Sequence, residues 1–329
     1  MSDITPMPNN ATNYYRKAIN ALQNNDDRKG IHFLEESYQL DPQDQVFYEL
    51  VNLYIKHNLT SKLKSIWKSK NFSLDTIANS AVLSVLYAQT LINMDTRHES
   101  LSELYQLRDL IQDSESLLQI NQAIDAIQNI LSTQKKLDEL NSDDDIDNFV
   151  KFYLQSSQLE LLSKLKSLYL FDLDKTLAVY LAILQKDEIY NFIKNDVLHF
   201  LISKGYLETI NYSWFGKKNT ININELKPYN NTEYYRKAIQ LITDFFTKQD
   251  PHLESQIIEL FNLHSMVLYP YYDEAIDDPA KWLNHTLMIY DLISESEYNS
   301  VSPLTAEEVT FYHQAQDEIS NLLSNLLSN

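Results

Sequence analysis

The chain has 329 residues, of which 44% are hydrophobic and 22% are charged, so it is long and apolar enough to bury more than one ordinary core. Its formal net charge of −19 predicts that it repels nucleic acid and anionic membranes, and no long basic cluster offsets that charge. The absence of cysteine excludes disulfides, thiolate metal sites and cysteine nucleophiles, and the presence of only three glycines favours helices over folds built on tight turns.

The first ten residues, MSDITPMPNN, contain no basic stretch followed by an apolar run. No uninterrupted apolar stretch elsewhere approaches membrane-spanning length. We therefore expect neither a signal peptide nor a membrane helix, and a cytoplasmic location.

The segment 11–44, ATNYYRKAINALQNNDDRKGIHFLEESYQLDPQD, has the helical spacing of apolar residues in two halves separated by polar turn residues. It resembles a tetratricopeptide repeat, a helix–turn–helix unit of about 34 residues. The resemblance rests on large, small and proline positions occupied by Tyr14, Ala18, Gly30, Leu34, Ser37 and Pro42. A partial second unit covers residues 44–70, where the first helix fits but the rest lacks the terminal proline.

Such repeats expose the inner face of their first helices as a groove for an extended peptide or a partner helix. The resemblance implies that nine residues face this groove: Thr12, Tyr15, Ile19, Leu22, Gln23, Tyr48, Asn52, Ile55 and Lys56. In an alternative interpretation, Tyr15 and Ile19 pack on a following helix instead. A clamp for a C-terminal carboxylate is not expected, because its lysine and asparagine positions hold Tyr15, Ile19 and Glu49.

Residues 73–140 continue with helical patterns that match no repeat signature. The sequence therefore predicts a first domain, 1–140, of helix hairpins that continue to stack, with an irregular helical bundle as the alternative. The predicted fold class is all-α: stacked antiparallel helix hairpins in a tetratricopeptide-like α-solenoid, with a small β-hairpin insertion near 207–224.

The acidic stretch 141–147 is the best candidate for a linker to a second helical region, 141–329. Its alternating aspartates resemble the first ligands of a calcium loop, but Asn148 and Leu154 stand where that loop needs glycine and glutamate. The alternative is the start of a helix, which acidic residues favour.

The motif Phe171-Asp-Leu-Asp-Lys-Thr176 resembles the nucleophile motif of haloacid-dehalogenase-type phosphatases, with Asp172 as nucleophile and Asp174 as acid–base partner. Lys175 replaces the usual glycine, and helical patterns surround the motif. We predict instead that one aspartate caps a helix and that the protein has no phosphatase activity.

Residues 187–226 combine a helical pattern with an alternating strand-like stretch around Gly216. This unit resembles a winged helix in outline, with Lys217 and Lys218 at the hairpin tip. The two interpretations are a hairpin packed against helices and a regulator that contacts nucleic acid.

The C-terminal segment contains a capping-box pattern at Thr305 and Glu308. The helix that follows carries an apolar stripe whose expected use is core packing, with self-association as the alternative: Ala315, Ile319, Leu322, Leu323, Leu326 and Leu327.

These patterns predict a non-enzymatic protein–protein interaction module, with nucleic-acid contact through residues 187–226 as the alternative function. We expect no catalytic residues, cofactor or metal, because the eight histidines are scattered and no phosphate-binding loop or nucleophile elbow can be built from the glycines present.

Overall fold

A computed structural model describes residues 10–24, 26–246, 251–300 and 302–327. Within these residues the chain forms eighteen α-helices and one two-stranded antiparallel sheet, so the all-α class with a small hairpin is confirmed. The residues group into two compact units, one ending at Gln134 and one beginning at Lys135, and each contains its own apolar core. The division into a repeat region, 1–140, and a second helical region, 141–329, stays a prediction.

The first unit is built from helices joined by short connections. They are α1 Asn10–Gln23, α2 Asp27–Leu40, α3 Asp44–Lys56, α4 Thr60–Lys70, α5 Leu74–Ala78, α6 Ala81–Ile92, α7 Arg97–Leu110 and α8 Ser114–Asp138, whose last residues belong to the second unit. Side-chain caps start several of them, since the Ser73 and Ser80 hydroxyls accept hydrogen bonds from the first turns of α5 and α6.

Helices α1 and α2 form a closely packed antiparallel hairpin. At one end, the Ser37 hydroxyl donates to the carbonyl oxygen of Ala11 over 2.9 Å. At the other end, Gly30 lies so close to Leu22 that a β-carbon on Gly30 would stand 2.4 Å from the Leu22 Cδ2 atom. The hairpin therefore depends on the missing side chain of Gly30.

Tyrosine hydroxyls link neighbouring helices of the first unit. Tyr15 of α1 donates to Glu49 of α3 over 2.6 Å, and Tyr87 of α6 donates to Glu103 of α7. Tyr54 of α3 donates to a carboxylate of α2 over 2.7 Å. Burial, assisted by the hydrogen-bonded carboxylates, raises the pKa of all three hydroxyls, that of Tyr15 to about 12.

The second unit contains ten further helices and the sheet. They are α9 Asp143–Leu154, α10 Gln158–Leu168, α11 Leu173–Gln185, α12 Asn191–Ser203, β1 Thr209–Trp214, β2 Lys217–Asn222, α13 Glu233–Phe246, α14 Pro251–Leu268, α15 Tyr272–Ala275, α16 Pro279–Ile289, α17 Glu295–Ser300 and α18 Ala306–Leu327. The strands pair from Thr209 opposite Asn222 to Trp214 opposite Lys217. Phe215 and Gly216, both with positive φ, form the two-residue turn that closes the hairpin.

The acidic stretch 141–147 is helical from Asp143 onward, so its interpretation as a linker is wrong and the helix-start interpretation is confirmed. Ser142 caps α9 by accepting a hydrogen bond from the backbone N–H of Asp145 over 3.3 Å. Aspartates in the first turn face the positive end of the helix dipole, which stabilises this start.

The capping box at the start of α18 is confirmed. The Glu308 backbone N–H donates to the Thr305 hydroxyl over 3.3 Å, and the Thr305 N–H donates to the Glu308 carboxylate over 2.7 Å. Ala315, Ile319 and Leu322 of the predicted stripe are buried, whereas Leu323 is 51% exposed. The side chains of Leu326 and Leu327 lie outside the described residues.

Candidate functional site

A groove of about 470 Å³ opens in the first unit between α3, α6 and the N-terminal end of α8. Its lining combines apolar side chains of α6 with polar side chains of all three helices: Tyr48, Asn52, Ala81, Val82, Val85, Leu86, Gln89, Asp113, Glu115, Ser116 and Gln119. Val82 is 57% exposed, although it belongs to a helix whose residues are mostly apolar. An exposed apolar side chain inside a concave surface is typical of a binding site.

The polar side chains of the groove suit contact with a peptide backbone. Asn52, Gln89 and Gln119 are exposed, and each amide offers both a donor and an acceptor. Asp113 is already engaged, because its carboxylate accepts from the Ser116 backbone N–H over 2.8 Å, and hydrogen bonds from Ser116 lower the pKa of Asp113. The lining thus offers amide hydrogen bonding beside an apolar surface rather than a nucleophile with an adjacent base.

The structure places the nine predicted partner-facing residues in different surroundings. Tyr48 and Asn52 line the groove. Thr12 and Tyr15 line a small recess of about 70 Å³ between α1, α2 and α3. There the Tyr15 hydroxyl donates to Glu49 and accepts from the Gln45 side chain over 2.6 Å, so Tyr15 is held against the following helix α3.

The other predicted residues contribute to neither cavity. Leu22 lies against Gly30 inside the α1–α2 hairpin, and Ile55 is half-buried against the core of the first unit. Lys56 is exposed and pairs with the Asp27 carboxylate over 2.6 Å. Ile19 is half-buried and Gln23 is exposed.

A larger cavity of about 680 Å³ lies between α2, α3 and α4. Its lining includes Leu50 and Tyr54 of α3. These two residues lie on the opposite face of α3 from Tyr48 and Asn52, because residues two positions apart on a helix are rotated by about 200° around its axis. Its polar groups already bond to one another, since the Glu35 carboxylate binds the Tyr54 hydroxyl and, over 2.5 Å, the Lys62 ammonium of the same cavity. The groove between α3, α6 and α8 therefore offers more unengaged polar groups to a partner.

The winged-helix-like unit 187–226 is held in the second unit by its helix and by its first strand. Helix α12 buries seven of its thirteen residues, including Asn191, Lys194 and Asn195. Trp214 of β1 stacks on Phe311 of α18 with ring centroids 4.9 Å apart, so the hairpin packs against helices. At the tip, the Lys217 ammonium lies 3.4 Å from the Glu307 carboxylate and 5.0 Å from the ring centroid of Phe311.

The phosphatase-like motif spans the end of the connection after α10 and the first turn of α11, rather than the end of a strand. Asp172 occupies the N-cap position of α11, but its side chain makes no capping hydrogen bond, so the predicted side-chain cap at this residue is wrong. Asp174 lies in the first turn, and both residues are exposed. Among the described residues, no group of three or more histidine, aspartate or glutamate side chains is arranged to hold a metal ion.

Most of the groove was missed by sequence reasoning, because α6 and α8 match no repeat signature. A usable signal was present in Ala81–Ile92, AVLSVLYAQTLI, which is apolar on nearly all sides. Such a helix must be covered on every face or must expose apolar surface, and Val82 does the latter.

No described helix is both long and apolar enough to cross a membrane. Comparison with family models, with curated proteins and with solved structures gives no match for this chain.

Proposed function

We propose that the first unit is a tetratricopeptide-like helical-repeat module that binds a peptide or a partner helix in the groove between α3, α6 and α8. The protein acts as a scaffold for a protein partner, without chemistry of its own. In this proposal α1 and α2, α3 and α4, and α6 and α7 are successive helix hairpins, and α8 begins the next.

The observation that carries the proposal is the exposed Val82 in a groove edged by the amides of Asn52, Gln89 and Gln119. A bound segment places one apolar side chain over Val82 and Tyr48 and pairs its backbone with the amides. Aromatic side chains at the centre of an interface contribute more to binding than polar residues at its rim, which makes Tyr48 the expected anchor.

The test uses a display library of random peptides selected on the purified full chain, followed by anisotropy titrations with the selected peptides. Val82→Glu introduces a charge into the groove and should abolish binding. Tyr48→Ala should weaken binding by about 2 kcal/mol or more, roughly thirtyfold in Kd.

Leu40→Glu is the matched control, because Leu40 is 54% exposed on α2 and does not line the groove. All variants should keep the parent circular dichroism spectrum. Failure to select any peptide, or equal affinity for the parent chain and Val82→Glu, would refute this function.

We do not propose nucleic-acid contact. Helix α12, which would have to enter a DNA groove, is mostly buried, and the tip lysine Lys217 is close to a carboxylate.

A further inference from the structure

Helix α4 is the exception to the acidic character of this chain. The chain has 27 lysine and arginine residues against 46 aspartate and glutamate residues, yet the eleven residues of α4, TSKLKSIWKSK, include four lysines and no acidic residue. Lys62 lies in the first turn of α4, where the positive end of the helix dipole disfavours a cation. The stability of α4 as a helix therefore does not account for Lys62.

Two of these lysines line the cavity of about 680 Å³ between α2, α3 and α4. The side of α4 that faces this cavity carries Lys62 near one end and Lys70 near the other, with Ser65, Ile66 and Ser69 between them. Because an α-helix rises 1.5 Å per residue, the two lysines are about 12 Å apart along the helix axis. One wall of the cavity therefore has a cation at each end.

Aromatic rings lie next to both ammonium groups. The Nζ atom of Lys62 is 5.6 Å from the ring centroid of Tyr54. The Nζ atom of Lys70 is 5.9 Å from the ring centroid of Tyr38 and 5.7 Å from that of Phe47. Cation–π contacts at these distances are favourable and restrict the long lysine side chains. Less conformational entropy is then lost when an anion binds to them.

Each ammonium group has a carboxylate partner and keeps the capacity for another. Lys62 donates to Glu35 over 2.5 Å. Lys70 donates to Asp44 over 2.7 Å and to the Pro42 carbonyl oxygen over 3.3 Å. An ammonium group has three hydrogens, so within the described part of the chain Lys62 keeps two donors and Lys70 keeps one. The Asp44 side chain is 68% exposed, and exposed ion pairs of this kind contribute little stability, so another carboxylate can displace it.

Between the two cations, the cavity offers apolar contact and hydrogen bonds for a peptide backbone. The buried side chains of Leu50 and Ile66 line it from α3 and α4. Gln39 and Ser65 line it from α2 and α4, and both residues are exposed. An amide and a hydroxyl group can each donate and accept, as the N–H and C=O groups of an extended segment require.

We propose that this cavity is a second interaction surface, which binds an extended acidic segment of a partner protein through two carboxylates that flank an apolar side chain. In an extended segment, residues four positions apart point to the same side and are about 13 Å apart. Carboxylates at the first and fifth positions match the spacing of Lys62 and Lys70. The third side chain, on the same side, then contacts Leu50 and Ile66.

The formal net charge of −19 disfavours an acidic partner elsewhere on the surface, so binding is confined to this cavity. The surface is separate from the groove between α3, α6 and α8, and the proposal does not depend on that groove.

The test measures the fluorescence anisotropy of labelled peptides titrated with the full chain. The probe is a pentapeptide with blocked termini, leucine at its centre, glutamates at its first and fifth positions and threonines between them. One control peptide has glutamines in place of the glutamates. The other exchanges the glutamates with the threonines, which keeps the charge but moves both carboxylates to the side away from the leucine. The probe should bind about fivefold or more tightly than either control, and added salt should weaken its binding.

Lys62→Gln and Lys70→Gln should each weaken binding of the probe about fivefold. Lys64→Gln and Lys68→Gln are the matched controls, because they remove the same charge from exposed positions of α4 outside the cavity, and they should have less than about a twofold effect. Val82→Glu should leave binding of the probe unchanged, which separates this surface from the other groove. Equal losses at all four lysines, or equal affinity for the three peptides, would overturn the proposal.

A variant on the opposite side of the ion pair covers the case in which Lys70→Gln fails to fold. Asp44→Asn removes the carboxylate that competes for Lys70 and should strengthen binding of the probe about threefold. Asp75→Asn, at an exposed position of α5 outside the cavity, is its control. Unchanged affinity in Asp44→Asn, or an equal gain in Asp75→Asn, contradicts the proposal.

Two other anionic partners are tested in parallel, namely phosphatidylserine vesicles and duplex DNA. If either binds the parent chain but not the double variant Lys62→Gln, Lys70→Gln, and the probe peptide does not bind, the acidic segment is the wrong partner.

Discussion

Replacement of Gly30 by alanine should destabilise the first unit, although alanine is the better helix former. The added β-carbon would stand 2.4 Å from Cδ2 and 2.7 Å from Cγ of Leu22, closer than carbon atoms approach in folded proteins. Either α1 moves away from α2 or the Leu22 side chain leaves its position. Both responses weaken the packing that joins the two helices.

Two opposing contributions set the magnitude. Insertion of a methyl group into close packing costs about 1–3 kcal/mol, whereas replacement of a mid-helix glycine by alanine contributes about 0.5–1 kcal/mol of stability. We therefore expect Gly30→Ala to lower the free energy of unfolding by about 1–2 kcal/mol. In a Leu22→Ala background the obstructing atoms are absent, so the same substitution should become stabilising by up to about 1 kcal/mol.

The assay is urea denaturation of the four chains of this double-mutant cycle, followed by tryptophan fluorescence and circular dichroism. The pair His32→Ala and His32→Gly, at an exposed position of the same helix, measures the helix-propensity contribution separately. Reversal of sign between the two backgrounds is the decisive result. A stabilising Gly30→Ala in the parent chain would show that Leu22 moves aside without loss and that close packing is not the reason for glycine here.

Two further outcomes are expected. Thr90→Val should lower the free energy of unfolding by about 1–3 kcal/mol in urea denaturation, because the buried Trp67 indole N–H loses the hydroxyl that accepts its 3.0 Å hydrogen bond. Thr310→Val, which removes only an exposed hydroxyl bonded to its own helix, should change it by about 0.5 kcal/mol or less, and equal effects would contradict the reasoning. The fluorescence anisotropy of labelled duplex DNA at low salt should show no saturable change when the parent chain is added. If the parent chain binds the DNA and the double variant Lys217→Glu, Lys218→Glu does not, the nucleic-acid alternative is restored.

The helices and the hairpin could be predicted from the sequence, because both depend on the local periodicity of apolar residues and on capping residues. The Thr305 and Glu308 pattern placed the start of α18 correctly, and the alternating residues around Gly216 placed both strands. One break was missed. Within the helical patterns of residues 73–140, the chain divides into α5 and α6 at Asn79, because the Ser80 side chain caps a new helix there.

The candidate groove was only partly accessible from sequence. Resemblance to a repeat pointed to Tyr48 and Asn52, which lie in the groove. It also pointed to Tyr15, whose half-buried position follows from a hydrogen bond to a helix 34 residues away. Contacts such as that of Glu318 with Phe192, 126 residues apart, leave no mark in local patterns because the side chains involved are ordinary for their helices.

Because tyrosine hydroxyls link helices in the first unit, high pH should destabilise the packing of these helices. Folded Tyr15, Tyr54 and Tyr87 keep their protons above pH 10, where the unfolded chain loses them, so each link loses its stabilising contribution as the pH rises. In an ultraviolet titration, the phenolate absorbance of these three tyrosines should therefore rise at the same pH at which the helical circular dichroism signal is lost. Absorbance from these side chains would then report separation of the helices and not simple ionisation at a surface.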